Sequence, residues 1–153
     1  MNWSEYNIDL GLLSHTSKFK TKSTSEGRYV FDPIRKKYLI ILPEEAVRQA
    51  CISWLLDYGI SRNRIQVEKS FDINGLNRRF DIVIYDKIFN PYIIVECKAP
   101  NVSITQKTFD QIMAYQTVLN ATYIMVTNGM ATYFARLDMD NKKYIFYDSI
   151  PRL

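Results

Sequence analysis

Histidine is nearly missing from this chain of 153 residues, which has one, His15, beside two cysteines and five glycines. A lone histidine in a polar N-terminal stretch leaves no partner for a Ser-His or Cys-His nucleophilic device. Cys51 and Cys97 stand apart with no Cys-x-x-Cys pair, so zinc spacing is absent too. Each lies in an apolar setting and reads as a reduced, buried thiol, which suits a cytoplasmic protein. The few glycines do not form the phosphate-cradling loop of a nucleotide-driven motor. No apolar run approaches the length of a bilayer span, and the opening Met-Asn-Trp-Ser-Glu lacks a basic-then-apolar leader. The expectation is a soluble cytoplasmic protein that does not touch the membrane.

What is present is ordinary for one globular domain. Hydrophobic residues make up 47% and charged residues 24%, enough apolar material for a single sizeable core. Eleven tyrosines and eight phenylalanines point to a β-rich protein with half-buried sheet faces. The net charge of +4 permits contact with phosphates without requiring it. Part of it is concentrated early, in Lys18, Lys20, Lys22, Arg28, Arg35, Lys36 and Lys37, as either a solvated surface or a nucleic-acid arm.

Residues 1–27 are polar and weakly patterned, which predicts a partly ordered N-terminal extension before a main domain over 28–153. Arg28 to Phe31 and Lys37 to Leu42 can pair around Asp32-Pro33. Pro43 suits the first position of a helix, with Glu44 and Glu45 in its first turn, Val47, Cys51 and Leu55 on its core face, and Gly59 as its stop. Strand patterns follow at 65–71, 78–85 and 92–98, the first two joined by the turn dipeptide Asn74-Gly75. A second helix fits 105–119, a buried strand 123–127, and short strands 131–137 and 143–147. The prediction is an α/β domain whose mixed central sheet is flanked by helices. Its order is helix, three strands, helix, strand, with a small C-terminal β extension.

The chemistry concentrates in Val95-Glu96-Cys97-Lys98-Ala99-Pro100. Residues two apart on a strand share a face, so Glu96 and Lys98 project together while Val95 and Cys97 face the other layer. A carboxylate and an ammonium leaving an apolar strand side by side are costly to bury without a use. Asp81 is equally out of place within the apolar run Phe80 to Ile84. If those strands are neighbours, Asp81 and Glu96 can share one hard cation such as Mg²⁺ or Mn²⁺, which binds through few carboxylates and keeps its waters. Lys98 would orient an attacking water, and the Cys97 carbonyl could add a ligand. The plain alternative is a surface ion pair at a strand end with Asp81 as a charge near a turn.

The strings Arg78-Arg79-Phe80-Asp81-Ile82-Val83 and Val95-Glu96-Cys97-Lys98-Ala99-Pro100 resemble the PD-(D/E)xK nuclease superfamily. More narrowly, they resemble the N-terminal domain of the R subunit of type I restriction enzymes. The likeness extends from Leu42-Pro43-Glu44-Glu45-Ala46-Val47-Arg48-Gln49 through Phe109-Asp110-Gln111-Ile112-Met113-Ala114-Tyr115 to Thr127-Asn128-Gly129. It implies a restriction-endonuclease-like core and cleavage of DNA. Asp81 and Glu96 resemble the metal-binding acids and Lys98 the motif lysine. A first-helix glutamate often joins that metal site, and Glu45 is the choice here with Glu44 as alternative, although both also serve as ordinary N-terminal helix acids. Gln111 and Tyr115, one turn apart, resemble a Gln-x-x-x-Tyr signature that braces the site or touches the DNA backbone, with Gln106 a weaker candidate.

Two departures are visible. Phe80 precedes Asp81 where the superfamily's name has proline, a change that leaves the acids untouched. The type I subunit also continues into a translocating motor that this sequence lacks, so ATP-driven restriction by this chain alone is excluded. The expected activity is that of a Mg²⁺- or Mn²⁺-dependent endonuclease, acting alone or with a restriction-system motor or specificity subunit. The alternative is a non-catalytic nucleic-acid- or protein-binding module that keeps the fold.

Overall fold

The computed structural model describes residues 2–153, the side chains of Tyr115 and Thr117 excepted. After short 3-10 turns at Trp3–Tyr6 and Leu12–Lys18, the chain forms β1 (Thr21–Thr24), β2 (Gly27–Asp32), β3 (Lys37–Ile40) and α1 (Pro43–Tyr58). Next come β4 (Ile65–Ile73), β5 (Leu76–Tyr85), β6 (Pro91–Cys97), α2 (Gln106–Leu119), β7 (Tyr123–Thr127), β8 (Thr132–Asp138) and β9 (Lys143–Tyr147). Strands β1, β2 and β3 make a small antiparallel sheet of their own. The other six lie side by side in chain order, antiparallel throughout except for the parallel pair β6 and β7. That parallel step needs a crossover, which α2 supplies. The central sheet is therefore mixed, and the C-terminal strands extend its edge.

Local chemistry accounts for the boundaries. Pro43 opens α1, and Gly59 closes it in the left-handed region at φ 104°, donating its N–H back to Leu55 and Leu56. Thr105 caps α2 through a reciprocal box with Thr108. Asn74 and Gly75 both take positive φ, the hairpin geometry their dipeptide favours.

The two helices cover opposite faces of the sheet. Val47, Cys51, Ile52 and Leu55 of α1 pack on Ile82, Ile84, Ile93, Val95 and Met125. Phe109 and Ile112 of α2 pack on Ile124, Val126 and Ala135. Burying each such Ile or Leu stabilises the fold by roughly 1.5–3 kcal/mol. The N-terminal segment joins this second layer: Trp3 stacks on Phe109 at 5.6 Å and meets Tyr133 and Phe146 edge-on. Further along, the Ile8 N–H donates to the Thr132 carbonyl. Gly129, in the turn after β7, presses so close to α1 that an added Cβ would lie 3.3 Å from a Val47 methyl. Among the described residues no helix is long and apolar enough to cross a membrane.

Candidate active site

Strands β5 and β6 pair as far as Ile82 opposite Val95. One step on they part, and Asp81 and Glu96 stand on either side of the fork. The parting would strand the Cys97 N–H, and Asp81 takes it, its Oδ2 accepting that hydrogen bond at 2.7 Å. Counting between Val67 opposite Ile82 and Lys69 opposite Phe80 places Glu68 across from Asp81 on the other side. Glu68, Asp81 and Glu96 thus form one row over three adjacent strands. Glu68 breaks its ladder with a left-handed backbone, φ 57°, which turns its side chain towards the row.

Glu96 and Lys98 do project together, Nζ lying 3.5 Å from Oε1, with side chains 31% exposed for the lysine and 19% for the acid. Burial, followed by the Asp81 charge, pushes the Glu96 carboxyl up to about 7, and Lys98 offsets this only in part. Glu44 adds to the same negative field. Its carboxylate is about half exposed and reaches one donor, the Arg48 Nη2 at 3.3 Å. Glu45 is engaged more fully, accepting from Arg35 at 2.5 Å, from Gln49 at 3.0 Å and from Arg48. The Cys97 thiol is held well above its ordinary pKa, first by contact with Cys51 and then by burial, so it packs as a neutral group.

The residue that sequence reasoning missed is Arg48. Its guanidinium is buried, 6% exposed, where the acids converge. It donates to Asp81 Oδ1 at 2.6 Å and Glu68 at 3.0 Å, besides its contacts with Glu44 and Glu45. Burial opposes its charge, but Asp81, Glu45 and Glu68 outweigh that and raise its pKa. Its Nε is buried without a hydrogen-bond partner among the described residues. The available signal was its place one turn after Glu44 and Glu45 and next to Val47 on the core face. Nothing in the sequence marked Glu68, whose placement comes from a left-handed backbone, φ 57°, adopted without glycine.

A second polar layer backs the first. Asp32, fully buried, accepts from the backbone N–H groups of Ile34 and Arg35, from Arg35 Nε at 2.6 Å and from Gln49 at 2.9 Å. Arg35 then reaches Glu45, so the turn after β2 is tied to the first turns of α1. Gln111 is exposed on α2, and no hydrogen bond joins it to Asp81, Glu96 or Lys98 among the described residues. Gln106 donates to its helix neighbour Asp110. The Tyr115 side chain lies outside the described residues.

Asp81 and Glu96 form the donor pair that a hard divalent cation would use, and the raised Glu96 marks negative charge with too little compensation. Among the described residues no three carboxylate, imidazole or thiol groups converge as a cage, so waters would complete any such shell.

The family model described as type I restriction enzyme R protein N terminus matches residues 43–151, more than half of the chain. Among solved structures, one match is a fragment described as an HsdR subunit of a type I restriction enzyme from Vibrio vulnificus YJ016. It is 21% identical, with a TM-score of 0.46, over 63% of this chain and 21% of that one. The chain thus spans about a fifth of that relative's length. No curated protein matches it.

Proposed function

The chain belongs to the type I restriction enzyme R protein N-terminal family, and from that premise we propose that it is a PD-(D/E)xK-type endonuclease domain that hydrolyses phosphodiester bonds in DNA. The observation that carries this reading is the meeting of Asp81, Glu96 and Lys98 where β5 and β6 part. Asp81 and Glu96 would hold Mg²⁺ or Mn²⁺, with the Cys97 carbonyl as a further ligand. When bound, such an ion supplies Lewis-acid polarisation of the phosphate and a more acidic water. Lys98 is the group able to orient that water and to meet charge that develops on the phosphate. Of the two helix acids, Glu45 fits the task of holding Arg48, and Glu44 is the one whose field reaches Glu96. Gln111 and Tyr115 are proposed as contacts to the DNA backbone from α2. A motor or specificity subunit of a restriction system is the proposed partner.

Plasmid nicking in Mg²⁺ or Mn²⁺, compared with Lys98→Ala and Asp81→Ala, tests the assignment. Both variants are expected to lose roughly a hundredfold or more in rate, in line with the loss of an electrostatic catalytic group. Equal nicking by all three proteins would identify a contaminant and end the proposal.

Arg48 favours a second reading, because its guanidinium already takes Asp81 Oδ1 and supplies positive charge to the acids. On that reading the fold is kept as a nucleic-acid- or protein-binding module without catalysis. Calorimetry with Mn²⁺ separates the two. Heat that disappears in Asp81→Ala supports the enzyme, and absence of binding by the wild-type chain supports the module.

A further inference from the structure

The small sheet at the start of the chain has two unlike faces. Val30 and Asp32 point inward and are buried, and Asp32 is bonded to Gln49 of α1. The alternate residues point outward and fall into two cross-strand rows. Phe31 donates its N–H to Lys20 and pairs with Tyr38, giving the row Lys20, Phe31, Tyr38. Lys22 pairs with Tyr29, which pairs with Ile40, giving the row Lys22, Tyr29, Ile40. Each row leads with an exposed ammonium and continues through a half-buried ring. The ammoniums lie over the rings: Lys22 is 4.3 Å from the Tyr38 centroid and Lys20 is 5.1 Å from that of Phe31. Phe31 and Tyr38 also meet each other edge-on at 5.3 Å.

Lys22, Tyr29 and Tyr38 line an open groove on this face, and among the described lining residues its one acid is Glu26, at the β1 to β2 turn. Lys20 and Phe31 line a separate crevice with Lys18 and with Ile52 and Leu56 of α1. Two lysines ahead of three rings, with one carboxylate at the margin, match a polyanion that also carries flat apolar faces. An acidic protein partner could meet the ammoniums with carboxylates, but it offers flat faces only where it happens to carry aromatic side chains. A nucleic-acid strand offers both at once, since phosphates can take the ammoniums as the bases take the rings.

We propose that the outer face of β1, β2 and β3 is a stacking platform for single-stranded DNA, with Lys20 and Lys22 on the phosphates and Phe31, Tyr29 and Tyr38 against the bases. It rests on the nuclease reading only for the choice of DNA as the polyanion. The turn that ends β2 holds Arg35 against Glu45, so a strand bound here approaches the same end of α1 that carries Arg48.

The test is fluorescence anisotropy of the full chain with a labelled oligothymidine of about twelve nucleotides, within the range of single-strand site sizes. EDTA is present throughout, so cleavage plays no part. The wild type is expected to bind in a salt-sensitive manner. Tyr38→Leu, which keeps apolar bulk but removes the ring, should weaken binding roughly five- to a hundredfold, as expected for one stacked base. Lys20→Gln with Lys22→Gln should weaken it and flatten its salt dependence by about one to two in slope. Lys142→Gln, in the turn between β8 and β9, should bind like wild type. Circular dichroism of each variant establishes that it is folded. Wild-type affinity in both Tyr38→Leu and the double lysine variant would overturn the proposal, as would equal competition by a duplex of the same length. Loss of nicking with this binding intact counts against the nuclease reading alone. Nicking that persists while Tyr38→Leu and the double lysine variant both bind normally counts against the platform alone.

Discussion

Glu96 makes the domain's stability depend on pH in a direction opposite to that of a carboxylate held by cations and hydrogen bonds, such as Asp32. In the folded state burial and Asp81 keep its proton on until about pH 7, against 4.5 for the ordinary carboxyl. Below 4.5 both folded and unfolded chains hold the proton, and the group costs nothing. Between 4.5 and 7 the unfolded chain releases it first, so stability falls as pH rises, and above 7 the loss is complete. At about 1.4 kcal/mol per pH unit the penalty comes to roughly 3 kcal/mol. Glu96→Gln removes the charge and keeps the shape. Its loss of the Lys98 pair is worth under about 1 kcal/mol, because that lysine is partly exposed. In EDTA at pH 8 the variant should therefore melt higher than wild type by up to roughly 6–12 °C for a chain of this size. At pH 4.5 the two should coincide. Differential scanning calorimetry over that range measures the gap. A gap that does not change with pH, or a variant that melts lower at pH 8, would refute the idea that this carboxylate is strained.

Arg48→Met should destabilise the fold by about 3–5 kcal/mol in urea unfolding, because Glu45, Glu68 and Asp81 lose their shared cation. Added Mn²⁺ should then raise the midpoint of this variant more than that of wild type. Asp32→Asn should cost about 3 kcal/mol, since it removes the anion from a buried pair with Arg35. Burial alone would raise the Asp32 pKa, but hydrogen bonds from Arg35 and Gln49 reverse that and lower it. Its contribution is accordingly present above 3.8 and is lost as pH falls through the lowered folded value, which acid titration followed by circular dichroism would show as a missing transition in the variant.

The helices and the central strands were legible because each carries a periodic apolar pattern with a chemical stop: Pro43 and Gly59 for α1, Asn74-Gly75 for the β4 to β5 hairpin. The hairpin at 28–42 was visible as well, but β1 was not. Its Thr21–Thr24 stretch is exposed throughout, and an edge strand with no buried side carries no alternation to read. The N-terminal segment looked unpatterned for a related reason. Its anchors are isolated residues, Trp3 and Leu12, each fitted to a distant part of the fold rather than spaced along a face. At the site, Asp81, Glu96 and Lys98 stood out because charge inside an apolar strand is conspicuous. Arg48 and Glu68 did not, since one looks like a surface partner for Glu44 and the other occupies a polar position of an alternating strand. Their roles depend on one left-handed backbone residue within β4 and on how α1 docks, and neither is written in residue spacing.

Because Arg48 clasps Glu45, Glu68 and Asp81 without help from solution, the domain can reach its final shape before any ion arrives. In the proposed nuclease, folding and metal loading would then be separate events, the reverse of a zinc finger, which collapses when its metal is stripped away. For the proposed nuclease this amounts to a built-in safety catch. An ion taking Asp81 would have to compete with the guanidinium that already holds its Oδ1.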